Sequence, residues 1–226
     1  MPLADWYDTP HYYDIIFDQD TEKEAAFLTD LMRLYSLGKR ATKGPWKVLE
    51  PACGSGRLIT ALARRGHRVW GFDLNENMTA YTEQRLRESG LTAKVWQDRM
   101  EKFTVPKAPK GGFDLAHCLV STFKYVMEEA GAASHLQTVA AQLREGGLYV
   151  LGLHLTDYAD NSEQHESWQG TSDGVKVTCN THTWPPNKKL RTEDLRTRLR
   201  ITQEGQTKIQ ETRWQFRTYN AAQLKK

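Results

Sequence analysis

One stretch constrains this chain more than any other. Two apolar residues, Val48-Leu49, run into Glu50-Pro51-Ala52-Cys53-Gly54-Ser55-Gly56, and the chain leaves that turn in a helical pattern, Leu58 to Arg65, closed by Gly66. Small residues at alternate positions let a backbone turn tightly and approach a ligand closely. The helix that follows points its free amide N–H groups at that ligand. A strand, a small-residue turn and a helix, in that order, open a parallel sheet.

The pattern repeats down the chain. Arg68 to Phe72 reads as a second strand ending at Asp73, and residues 76–88 as a helix with Met78, Tyr81 and Leu86 inward. Leu91 to Trp96 reads as a third strand, Phe113 to Leu119 as a fourth and Leu148 to Leu153 as a fifth. One long amphipathic helix over residues 122–144 joins the last two. Upstream, residues 22–37 are helical, with Thr21 as cap and Gly38 as stop. An aromatic and acidic segment precedes that helix, with Trp6, Tyr7, Tyr12, Tyr13 and Phe17 among Asp5, Asp8, Asp14 and Asp18. Past residue 155 the period changes to two. Val175, Val177, Cys179 and Thr181 alternate with polar residues, as do Leu195, Thr197, Leu199 and Ile201, and a strand over 207–219 carries Trp214 and Phe216. The expected fold class is α/β, a Rossmann-like parallel sheet flanked by helices with an antiparallel β-meander after the fifth strand. The expected division is a ligand-binding core at 1–155 and an antiparallel cap, with the start of a C-terminal helix, at 156–226.

Composition narrows the class. The chain has 226 residues, 39% hydrophobic and 26% charged, which suits one ordinary globular domain with a modest appendage. No apolar run approaches the ~20 residues of a membrane span, and the N-terminus lacks the basic and apolar pattern of a signal peptide. Cys53, Cys118 and Cys179 are scattered, which argues against a disulfide framework or a structural zinc site and for a reducing, cytoplasmic setting. Cys53 and Cys118 read as small apolar fillers. The net charge of +3 implies no nucleic-acid partner by itself. Residues 171–226, however, carry twelve Lys or Arg against five Asp or Glu, a pattern read as a solvated face.

The residues at the strand ends carry the chemistry. A dinucleotide fingerprint would put its last small residue at Ile59, which is large and β-branched. Glu50 would repel a pyrophosphate and instead suits a cationic sulfonium amino acid. Asp73, 17 residues past Gly56, can accept both hydroxyls of a ribose, each such bond contributing ~1.5–3 kcal/mol. In Gln97-Asp98-Arg99-Met100, a carboxylate beside a thioether can accept from an adenine amino group and pack on its face. His117 and His154 lie at or near strand ends on the ligand face, and a free imidazole, with a pKa near ~6.5, is suited to act as a general base.

The ordered set resembles a known family. Val48 to Arg57 resembles motif I of the class I S-adenosylmethionine-dependent methyltransferases, and Gly71-Phe72-Asp73-Leu74-Asn75-Glu76-Asn77-Met78 is similar to their acidic second motif. Phe113 to Leu119 and Leu143-Arg144-Glu145-Gly146-Gly147-Leu148-Tyr149 resemble the later ones, so the likeness covers roughly residues 10–155. It implies that Glu50, Ala52, Gly54, Ser55, Gly56, Asp73, Leu74, Met78, Asp98, Arg99, Met100 and Cys118 line S-adenosylmethionine, with S-adenosylhomocysteine as product. Tyr12 and Tyr13 resemble the aromatic lid of small-molecule members, which also carry an antiparallel insert like 174–219. The implied activity is methyl transfer to a small-molecule N, O or C acceptor, with His117 and His154 as the candidate catalytic residues.

Two departures temper the likeness. The chain ends in the sequence of an opening helix, and the family's closing hairpin is absent. An open sheet edge is therefore expected, with truncation or a covering partner as its explanations. The cap and that edge are the surfaces offered for a homodimer. There is no (Asn/Asp)-Pro-Pro-(Tyr/Phe) after the fourth strand, so amino methylation of nucleic-acid bases or glutamine is not expected, and there is no carboxylate set of the catechol type, so no metal is expected. The rivals are a cofactor-binding module without turnover, a nicotinamide oxidoreductase, and an RNA methyltransferase using the basic tail, whose binding would fall steeply with salt.

Overall fold

The computed structural model describes residues 5–37 and 44–225; the stop expected at Gly38 lies outside them. A short 3-10 turn at Trp6–Asp8 leads into α1 (Pro10–Phe17) and α2 (Thr21–Tyr35). The parallel core follows as β1 (Lys47–Pro51), α3 (Arg57–Arg64), β2 (Arg68–Asp73), α4 (Glu76–Glu88) and β3 (Lys94–Gln97). It continues with β4 (Phe113–Cys118), α5 (Glu129–Gln142) and β5 (Leu143–Leu151). Its strand order is β3-β2-β1-β4-β5, every neighbouring pair parallel.

Residues within a strand point alternately to the two faces, and helices cover both, so both kinds of position are apolar. Val48, Val69 and Leu115 join Leu28, Met32, Leu58 and Leu62 in one cluster. Their chain neighbours Leu49, Trp70 and Ala116 join Phe72, Phe103, Phe113 and Val139 in the other. The strand order reverses between β1 and β4, and ligands of open α/β sheets bind outside the carboxyl ends at such a reversal.

Beyond β5 come β6 (Gln164–Ser172), β7 (Val175–Thr183), β8 (Thr192–Gln203) and β9 (Gln206–Arg217), a four-stranded antiparallel sheet in sequential order. Its inner face, with Val175, Val177, Cys179, Leu199 and Ile201, packs on Ile15 and Ile16 of α1. A capped turn, α6 (Ala221–Leu224), follows, with Asn220 and Gln223 in a reciprocal capping box.

Three expectations change. The helix expected over 122–144 is broken: Thr122–Tyr125 is a 3-10 turn, Val126 and Glu128 are extended, and only Glu129–Gln142 is α-helical. The break lets Phe123 and Val126 reach a cluster with Cys118 and Tyr219, while Lys124 turns to Glu193 on β8. The fifth strand starts at Leu143 rather than Leu148, and a register shift opposite Phe113–Leu115 absorbs Gly146 at φ 70°. Strand β6 was not expected at all. It is an edge strand with every residue exposed except half-buried Gly170, so no alternation marks it.

Candidate functional site

The turn after β1 winds through left-handed backbone at Ala52, Gly54 and Gly56. At Gly56, with φ 71°, an added Cβ would also overlap the side chain of Thr82 on α4, so glycine is required twice over. Thr82 Oγ1 in turn donates to the Gly54 carbonyl at 2.9 Å. The turn is thereby fixed against the second βα unit before any ligand arrives.

Asp73 closes the turn from β2. Its Oδ2 accepts from Gly54 N at 2.8 Å and its Oδ1 from Asn75 N at 2.9 Å. Burial raises its pKa, opposed by the amides of Asn75, Gly54 and Leu74. Asp98 follows β3 and donates its backbone N–H to the Asp73 carbonyl at 3.1 Å. Its Oδ1 accepts from Arg99 N at 2.9 Å and its Oδ2 from Thr104 N at 3.1 Å. The Met100 carbonyl lies 3.0 Å from His135 Nδ1, and His135 Nε2 lies 2.7 Å from the Tyr149 hydroxyl. A carbonyl only accepts, so Nδ1 is the protonated nitrogen and Tyr149 donates to Nε2.

Glu50 is the anomaly. It is buried at the end of β1, its Oε2 has no hydrogen-bond partner, and burial pushes its pKa up to about 8. His117, at the end of β4, has 0% exposure and no partner on either ring nitrogen; its Nδ1 lies 3.8 Å from Glu50 Oε1. Burial drives the His117 pKa down to about 3, so the ring is neutral. A buried carboxyl with one oxygen unpartnered, and a pKa still raised despite Arg57, fits a ligand that brings its own cation, as a sulfonium amino acid does.

The first helix ties the turn to the rest. Asp14 on α1 accepts from Ser55 Oγ at 2.6 Å and Tyr81 OH at 3.1 Å, and it also pairs with Arg85. Asp8 accepts from Asn75 Nδ2 at 2.8 Å. Arg57, buried at the start of α3, forms a two-pronged pair with Glu24 on α2 at 3.0 and 2.8 Å. Sequence reading missed Asp14, Arg57, Glu24 and Arg85 as site-building residues, because their partners lie 33 to 71 positions away and no spacing announces them.

A cavity of about 800 Å³ shares one wall residue, Tyr13, with the surroundings of Gly54 in the turn. Trp6, Tyr7, Tyr13 and Phe17 wall it from the N-terminal segment, Tyr125 and residues 152–157 from the strand ends, and Trp168, Trp214 and Phe216 from the antiparallel sheet. Tyr7 and Tyr125 share a hydrogen bond of 2.7 Å across it. Asp157, Asp160 and Glu166 line it, as does Glu193, paired with Lys124.

The expected site residues divide accordingly. Glu50, Ala52, Gly54, Ser55, Gly56, Asp73, Asp98 and Met100 gather at the ends of β1, β2 and β3, with Leu74 exposed beside Asp73 and Met78 buried beneath it on α4. Arg99 is exposed and faces Glu101. Cys118 is buried at the end of β4, its thiol pushed up to about 12 by burial. Tyr13 lines the cavity and lies against Gly54, whereas Tyr12 packs toward the core between α1 and the antiparallel sheet. His154 lines the cavity and His117 does not. The basic excess falls partly on the outer face of the antiparallel sheet, where Glu211 accepts from Arg198 and Arg213.

Residues 48–147 match the family model of a methyltransferase domain. A ubiquinone biosynthesis O-methyltransferase of Methylococcus capsulatus is 29% identical over 103 residues, 46% of this chain and 43% of that one. The chain spans about half the length of the curated relatives it matches. DesVI of Streptomyces venezuelae superposes with a TM-score of 0.78 at 18% identity, covering 99% of this chain and 88% of that one. The sugar N-methyltransferase KedS8 of Streptoalloteichus sp. gives 0.73 at 19% identity, over 99% and 82%. No helix among the described residues is long and apolar enough to cross a membrane. Residues 48–147 are thus similar to a methyltransferase domain, and the chain has a fold found in a solved S-adenosylmethionine-dependent methyltransferase.

Proposed function

We propose that the chain transfers a methyl group from S-adenosylmethionine to an amine nitrogen of a small molecule held in the aromatic cavity. The observation that carries this reading is the cavity itself: rings on three sides, carboxylates at Asp157, Asp160 and Glu166, and Tyr13 shared with the Gly54 turn. Aromatic faces and carboxylates both attract a protonated amine, each ring contributing about 0.5–2 kcal/mol. The likeness to a sugar N-methyltransferase points the same way.

The cofactor supplies an activated methyl on a sulfonium that leaves as a neutral thioether. The chain's own residues then have to align the acceptor and exclude water, which can supply ~7–11 kcal/mol of barrier lowering. In this reading Asp73 holds the ribose hydroxyls, Asp98 and Met100 hold the adenine, and Glu50 faces the amino-acid end. His154, the histidine that lines the cavity, accepts the proton the amine must lose. His117 stays neutral and buried, and this reading gives it no chemical step.

Calorimetric titration of the chain with S-adenosylmethionine, beside Asp73→Ala, tests the first half. Binding at least tenfold weaker in a variant with an unchanged melting curve is expected. Equal binding, or none by the folded wild type, would sink the site assignment. Formation of S-adenosylhomocysteine with amine but not hydroxyl acceptors tests the second half.

A further inference from the structure

Away from the cavity, on the outer face of the antiparallel sheet, three potential metal ligands converge. Strand register places His165 on β6 opposite His182 on β7. Glu163 sits just before β6, its Oε2 2.7 Å from His182 Nε2 and 3.9 Å from His165 Nε2. One ligand atom from each of the three falls within 4.8 Å of the others. We propose that Glu163, His165 and His182 form a binding site for a divalent, imidazole-seeking cation, zinc being the natural candidate.

The two imidazoles stack, with centroids 4.2 Å apart and planes 30° apart, so the exposed His165 ring must swing out of the stack for both in-plane lone pairs to meet one ion. His182 is fixed between His165 and Trp184, whose centroid is 4.1 Å from its own. Tetrahedral zinc with ligands at ~2.0–2.1 Å sets ligand separations of roughly 3.3 Å. The two Glu163 separations, 2.7 and 3.9 Å, each differ from that by about 0.6 Å, and the exposed Glu163 and His165 side chains can rotate to bring the third ligand in from within 4.8 Å. Two imidazoles and a carboxylate are borderline-soft ligands that suit zinc, nickel, cobalt and copper better than magnesium or calcium. In the metal-free chain His182 Nε2 and Glu163 Oε2 share a hydrogen bond. The cation replaces that proton while the ring becomes the Nδ1–H tautomer, so no co-reactant is needed.

Two arginines share this face with the histidines, and both are engaged: Arg198 pairs with Glu211. Arg196 follows His182 across the sheet, but its guanidinium lies over the Trp184 ring, 5.9 Å from the centroid, on the indole that also stacks on His182. Spacing alone does not announce the site, because Glu163 and His165 stand 17 or more residues from His182 and the hairpin register unites them. A cation there staples the fully exposed start of edge strand β6 to β7. It does so next to Asp160, Ser162 and Gln164, which border the cavity.

The test uses the full chain, stripped with a chelator and titrated with zinc chloride by calorimetry, with cobalt absorption as a second readout. One equivalent is expected, weakened at least tenfold in His182→Ala and in His165→Ala, with hydrogen exchange across 163–183 slowed by zinc in the wild type alone. His165 is two-thirds exposed, so its variant keeps the fold even if His182→Ala does not. Absence of stoichiometric binding by the wild type overturns the proposal, and so does binding that survives in a folded His165→Ala. The outcome is independent of the methyl-transfer reading, since no cofactor or acceptor is present.

Discussion

Replacing Glu50 with glutamine tests whether the buried carboxylate is the partner of the cofactor's cation. The folded pKa of about 8 means that roughly a tenth of the chains carry an ionised Glu50 at pH 7, half at pH 8 and nine-tenths at pH 9. Burial is the main cause; Arg57 opposes it, and Glu24 and Asp73 reinforce it. If the cation binds the ionised form, the affinity of the wild type for S-adenosylmethionine rises about tenfold from pH 7 to pH 9 and then levels. Glutamine is nearly isosteric with the protonated acid that prevails at pH 7, so the variant folds. It loses a charge-assisted contact of ~1.5–3 kcal/mol, about 10- to 150-fold in affinity once Glu50 is ionised. The cofactor's own amine titrates in both proteins, so the difference between their pH profiles isolates Glu50. A second readout comes from stability. A carboxyl whose folded pKa is raised stabilises below its unfolded value, near 4.5, and loses that contribution as pH rises through about 8. The ligand-free wild type therefore loses melting temperature across that window relative to Glu50→Gln, and the cofactor restores it. Parallel pH profiles for wild type and variant would refute the assignment.

Other expectations follow from the packing. Glu24→Gln leaves the buried Arg57 guanidinium with a poorer partner and lowers stability by up to ~3–5 kcal/mol in chemical denaturation. Tyr149→Phe removes the donor to His135 Nε2 at a cost of about 1–3 kcal/mol, and it loosens the Met100 carbonyl, so cofactor affinity falls as well. His154→Gln lowers the methylation rate while leaving cofactor affinity within about twofold.

Much of the core was legible because its signals are local. The turn Glu50–Gly56 and the helix 76–88 are each written in a few adjacent residues, and the strand–helix alternation around them allows few arrangements. What was hidden depends on contacts distant in sequence. The break after Tyr125 is decided by Glu193 on β8 and Tyr219 beyond β9, so a segment with helical periodicity gives up a turn to them. Strand β6 is held by the backbone of β7 and by Ile15, not by apolar alternation of its own. The same holds in the site. Glu50 and Asp73 stand at strand ends and could be read there, whereas Asp14 gains its place only when α1 is laid over α4.

That placement makes α1 the element through which the cofactor turn and the antiparallel sheet communicate. On one side Asp14 grips Ser55, Tyr81 and Arg85. On the other, the Ile15 carbonyl lies so close to Gly170 of β6 that an added Cβ would collide with it, and Gln19 Nε2 donates to the Gln169 carbonyl at 3.2 Å. Gly170→Ala must therefore push α1 away from β6, and because α1 is pinned at Asp14, the displacement reaches Tyr13 and the cavity wall. Overpacking of this kind costs ~1–3 kcal/mol. If α1 is the link, the variant loses cofactor affinity although Gly170 touches none of the residues that hold the cofactor. Asp14→Asn, which weakens the pin from the opposite side, should lower affinity without adding bulk, and the double variant should lose less than the sum of the two. Strict additivity in that cycle would show two independent defects and remove α1 from the argument.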